Sequence, residues 1–102
     1  MTQEINLVQG FKGDYPYTLN FNGITPDISN ATVRFNFTDR RENKRYSILC
    51  RESSSPNEVI IPFTNQTTDY GDFFGEFVIK SSTRTDIYPI TYRILVKIRK
   101  CI

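Results

Sequence analysis

Apolar and polar residues alternate with a period of two through most of the chain, and helical spacing is hard to find anywhere in it. Ile5–Val8 predicts a short first strand, followed by "GFKGDYP", in which Gly10, Gly13 and Pro16 read as breakers. Tyr15, Tyr17, Leu19 and Phe21 alternate with polar neighbours, which predicts a second strand or a continuation of the first after a bulge. In "DISNATVRFNF", a short polar half precedes a strand whose Val33, Phe35 and Phe37 share one face. Ile28 is expected to plug one end of the core there, while Asp27, Ser29 and Asn30 satisfy turn backbone groups.

Arg45–Arg51 is expected to return with Tyr46, Ile48 and Cys50 inward, and Pro62 in "VIIPF" argues for an edge or a strand end. "TNQTTDYGD" predicts a loop with room for one helical turn. From Phe73 to Lys80, one face carries Phe73, Gly75, Phe77 and Ile79, and the other Phe74, Glu76, Val78 and Lys80. Tyr88, Ile90, Tyr92, Ile94, Val96 and Ile98 hold one phase over the closing stretch, predicting a long last strand with a basic outer face. About seven strands with closely spaced turns fit an all-β sandwich or small barrel.

With 102 residues, no internal repeat and no linker-like stretch, residues 1–102 are expected to form one domain. Eight Phe and six Tyr suit strands around a single core. No apolar run is long enough for a transmembrane helix, and "TQEINLVQG" lacks the pattern of a signal peptide, so synthesis in a cytoplasm is expected. A net charge of +2 is too slight to imply a nucleic-acid partner by itself. The densest run, "DRRENKR", reads as a solvated hairpin end rather than a phosphate-binding patch.

Chemistry-bearing patterns are scarce. The chain has no His, which removes the commonest general base, the triads built on it and the usual zinc ligand set. Cys50 and Cys101 lack metal-site spacing; Cys50 is in phase with a buried strand face, and a reducing site of synthesis disfavours a bond between them. Asp69, Asp72 and Glu76 do not follow the EF-hand pattern and read as loop caps plus one exposed strand residue. Asn30, Asn36 and Asn65 begin glycosylation sequons, which chance explains in an Asn- and Thr-rich chain. No catalytic residue, metal site or cofactor is expected, and an enzyme is the weakest class of reading.

The segments "INLVQGFKGDYPYTLNFNG", "DISNATVRFNF", "TTDYGDFFGEFVIKSS" and "DIYPITYRILVKIRK" together resemble the N-terminal domain of phage baseplate upper proteins and related phage structural modules. Asp27–Phe35 is similar to the family's short turn of the type "DLTGATVTF", Gly71–Phe77 to its glycine–aromatic strand start, and Tyr88–Ile98 to its closing strand. The resemblance implies an immunoglobulin-like antiparallel β-sandwich acting as a non-enzymatic adaptor in a virion, commonly at the tail tip or baseplate. Family members often continue into a helical stalk and a further domain. This sequence stops at Ile102, which suits a free-standing adaptor, a decoration protein or an excised N-terminal domain.

The expected partners are other virion proteins in a symmetric homo- or hetero-oligomeric assembly, met by surface patches or edge strands. Phe11, Tyr15, Phe74, Arg93 and Arg99 are the candidate contacts, because aromatics and Arg dominate binding energy at interfaces. By phase, Tyr15 and Phe74 fit the core equally well. Two alternatives belong to other classes. One is an OB-like barrel that stacks bases on Phe and Tyr while Arg34, Arg93, Lys97 and Arg99 follow phosphates. The other is a small phage-encoded inhibitor of a host protein.

Overall fold

The structure, a computed structural model, describes residues 3–19, 31–40, 43–55, 57–82, 85–89 and 93–101. Nine strands occur among them: β1 (Glu4–Val8), β2 (Gly13–Thr18), β3 (Thr32–Asp39), β4 (Arg45–Leu49), β5 (Arg51–Glu52), β6 (Glu58–Phe63), β7 (Gly71–Lys80), β8 (Thr85–Tyr88) and β9 (Ile94–Arg99). They form two sheets. The larger has the order β1-β9-β7-β3-β4 with β8 also on β7, and the smaller is β2-β6-β5. The fold is all-β and compatible with a β-sandwich.

The core follows from the alternation. Along β7 the side chains of Phe73, Phe77 and Ile79 are buried with Gly75 between them; along β3 the buried set is Val33, Phe35 and Phe37. β1 and β9 contribute Ile5, Leu7, Ile94, Val96 and Ile98, and β6 contributes Val59, Ile61 and Phe63. These residues make one cluster, in which each fully buried large apolar side chain contributes about 1.5–3 kcal/mol. Aromatic rings join the two sheets: Tyr17 meets Phe77 at 5.1 Å between centroids, and Phe63 meets Phe37 edge-on at 6.3 Å.

Several expectations need correction. The ladder is not wholly antiparallel, nor is it limited to about seven strands: β1 lies parallel to β9, with Ile5 opposite Val96 and Leu7 opposite Ile98. Gly13 and Pro16 do not break the chain but stand inside β2. That strand is an edge, where a residue without an N–H is tolerated. The stretch 45–51 is not one strand. It changes sheets at Cys50, so β4 pairs with β3 and β5 with β6. The closing stretch is likewise two strands, since Tyr88 faces Phe77 and Ile94 faces Gly75, with Pro89 and Arg93 outside both strands.

Other expectations agree with the fold. Pro62 is next to the end of β6, beyond the reach of β5, which pairs only with Val59 and Ile60. Residues 64–70 form the expected loop, but as turns and bends with no helical turn, and Gly71 and Asp72 belong to β7 instead. The readings of Phe21, Asp27, Ile28, Ser29, Asn30, Ile90 and Tyr92 fall outside the described residues.

Side-chain bonds lock the layers at both ends. At one end, Gln3 Nε2 donates to the Tyr88 hydroxyl at 2.9 Å, and the Tyr17 hydroxyl donates to Gln3 Oε1. Burial raises the Tyr17 pKa, so its hydroxyl keeps the proton it donates. At the other end, the buried Thr67 hydroxyl donates to Phe11 O at 2.8 Å, and the Gly10 N–H donates to Thr67 O at 2.8 Å. Gly10 has φ 85°, a left-handed conformation that suits glycine in this turn.

Candidate contact surface

The outer face of the larger sheet is where the solvent-phase residues of β1, β3, β4, β7, β8 and β9 gather. Registers across the ladder place Leu49, Arg34, Val78 and Ile87 side by side in one row. Leu49 is 52% exposed and Ile87 47%, unusually open for large aliphatic side chains on strands. Between them the Arg34 guanidinium donates through Nη1 to Ser47 Oγ at 3.3 Å. A second row runs Arg45, Thr38, Phe74, Leu95 and Glu4.

The five candidate contacts separate into two groups. Phe11 and Tyr15 are half-buried and pack against the core, both meeting Phe63 edge-on, with centroids 5.9 Å and 6.4 Å away. Phe74, Arg93 and Arg99 lie on the outer face. The Arg93 guanidinium sits 5.2 Å from the centre of the Phe74 ring, a cation–π arrangement that leaves Phe74 half-buried. Arg99 is exposed and stands opposite Val8, itself exposed. Residue type does not mark the aliphatic row, because aromatics and Arg are the types enriched at interfaces. Its signal was present in the outward phase of Leu49, Val78 and Ile87.

A separate polar cluster pins the 64–70 loop to the β3–β4 hairpin. Lys44 Nζ lies 3.1 Å from Asp69 Oδ1, and the Tyr46 hydroxyl donates to Asp69 Oδ2 at 3.1 Å. The Lys44 bond, then the Tyr46 bond, hold the Asp69 carboxyl below its ordinary range, and the same Asp69 bond raises Lys44. Burial pushes the Cys50 thiol up to about 12, whereas Cys101 is exposed; both are free thiols. Asn36 is half-buried in mid-strand with its Oδ1 closed off from solvent, so its sequon is not open to a glycan in the folded chain, whereas Asn65 is exposed. Among the described residues, no three His, Cys, Asp or Glu side chains converge as a metal site. No protein-family model matches the chain, and the search of curated proteins returned no significant match.

Proposed function

We propose that this chain is an immunoglobulin-like β-sandwich serving as a non-enzymatic structural adaptor of a phage particle, a tail, baseplate or decoration component that works through protein–protein contacts. Strand order supports the fold reading. With β2, β6 and β5 as strands B, E and D, and β9, β7, β3 and β4 as G, F, C and C′, the order follows the variable-type immunoglobulin sheets. The phage assignment is supported by the resemblance of the four quoted segments, and it implies synthesis in a host bacterial cytoplasm followed by incorporation into the virion.

The observation that carries the contact reading is the row Leu49–Arg34–Val78–Ile87, open aliphatic groups on either side of a guanidinium. Exposed apolar area around an Arg is the composition of a protein-binding patch. The Phe74–Arg93 pair adds a rigid aromatic and a cation on the same face.

Mass spectrometry of purified particles made from a genome carrying this gene tests the assignment. The polypeptide is expected at a fixed, integral stoichiometry, and its absence from mature particles would refute the virion role. Leu49→Glu and Ile87→Glu variants should remain folded yet lose incorporation. If both enter particles at the normal level, this face is not the contact. A low-salt shift of a labelled oligonucleotide by the wild type would favour the base-stacking alternative instead.

A further inference from the structure

Every sheet edge carries unpaired N–H and C=O groups that can template another strand, and chains usually blunt such edges with proline, charge or brevity. Most edges of these two sheets are blunted. β2 contains Pro16, β5 has only two residues and β8 only four. β4 begins with Arg45 directly after Lys44, two adjacent cations at its start, and the chain leaves the sheet at Cys50.

β1 carries no proline and a single charge, Glu4. Leu95 N–H donates to Gln3 O at 2.9 Å and Gln9 N–H to Arg99 O at 2.8 Å, which fixes the phase of the strand. Gln3, Ile5, Leu7 and Gln9 turn their backbone groups toward β9, so Glu4, Asn6 and Val8 aim theirs outward. Among the described residues, the Val8 carbonyl alone has a partner on that side, the Phe11 N–H at 2.9 Å. All three outward residues are exposed, Val8 by 44%.

We propose that β1 is a self-pairing edge whose occupant is β1 of a second copy of this chain, antiparallel about Asn6. In this register Asn6 faces Asn6 and Glu4 faces Val8. The two Asn6 residues exchange a pair of backbone hydrogen bonds, and each Val8 N–H reaches the Glu4 carbonyl opposite. Sliding the strands by two residues in either direction leaves two facing pairs in place of three.

Charge complementarity favours the same register. In the row through Glu4, the second copy's Arg99 stands one strand beyond its Val8. The backbone separation is about 10 Å, two strand spacings, which a Glu and an Arg side chain together can bridge. Arg99 has no carboxylate partner among the described residues, and Glu4 is held only at 3.7 Å by Lys97. Pairing supplies each Arg99 with an acid, covers both Val8 side chains and opposes no like charges. Such an edge is a small contact, suited to an assembly in which many copies add up.

This inference deepens the reading of the domain as a contact module and rests on it only for its purpose. Sedimentation velocity on the wild type, carried to millimolar concentration, is expected to show a reversible dimer. Asn6→Pro removes an outward N–H while leaving every bond to β9, and should abolish that dimer with the circular dichroism spectrum unchanged. Glu4→Lys alone should weaken it, and Glu4→Lys with Arg99→Glu should restore it in part. A wild type that stays monomeric, a dimer that survives Asn6→Pro, or a charge swap without recovery would each overturn the proposal. A monomer that still enters particles would sink the edge but keep the adaptor; a dimer absent from particles would do the reverse.

Discussion

Gly75 lies beneath the ring of Phe35 so closely that a Cβ built on it would come 2.5 Å from the Phe35 Cζ. The ring is fully buried and packs against Phe37 and Phe77, and displacing a side chain in a close-packed interior is costly. Gly75→Ala should therefore destabilise the fold by about 1–3 kcal/mol, through displaced packing rather than backbone freedom. Urea unfolding is expected to show a lower midpoint with an unchanged slope. A midpoint equal to that of the wild type would mean that the ring moves freely.

Thr67 is the one buried polar side chain among the described core positions, and its hydroxyl satisfies the Phe11 carbonyl. Thr67→Val keeps the shape but orphans that carbonyl, at a cost of about 1–3 kcal/mol. Thr67→Ser keeps the bond and should cost less. The order wild type, Ser, Val in thermal midpoint checks the argument.

The Lys44–Asp69 pair should leave a mark on pH stability. Asp69 has a lowered folded pKa, so its contribution is present above the unfolded carboxylate value and is lost as pH falls through the folded one. Lys44 has a raised folded pKa, so its contribution is present below the unfolded amine value and is lost as pH rises through the folded one. Both groups are solvent-exposed, which keeps the effect small and salt-sensitive. Asp69→Asn should flatten the acid limb of a thermal midpoint against pH curve, and added salt should shrink the difference from the wild type.

The two thiols should differ in reactivity. Cys50 is held protonated at pH 8 by burial that raises its pKa to about 12, and a thiol rather than a thiolate is a poor nucleophile. Cys101 is exposed. Iodoacetamide on the native protein should label Cys101 and spare Cys50, and denaturant should open both. Rapid native labelling at Cys50 would contradict the packing described for it.

The alternation of Phe73 to Lys80 and of Val33 to Phe37 was legible because each strand has one wet and one dry face. The sheet to which a strand belongs was not legible in the same way. Alternation is a local signal, whereas the jump at Cys50 and the parallel seating of β1 on β9 depend on partners far along the chain. Pro16 looks like a breaker because an interior strand and an edge strand look alike until the neighbours are known. For the contact face, phase marked which side chains point outward. It could not tell that Phe11 folds back onto Phe63 while Leu49 stays open.

Because β1 and β9 run side by side in the same direction, Gln3 and Lys100 lie at opposite ends of their shared seam. Tension applied through these two ends would load the seam's backbone bonds lengthwise and together, rather than peeling them apart one by one. A particle that stretched this domain between two anchors would be pulling along its most resistant direction.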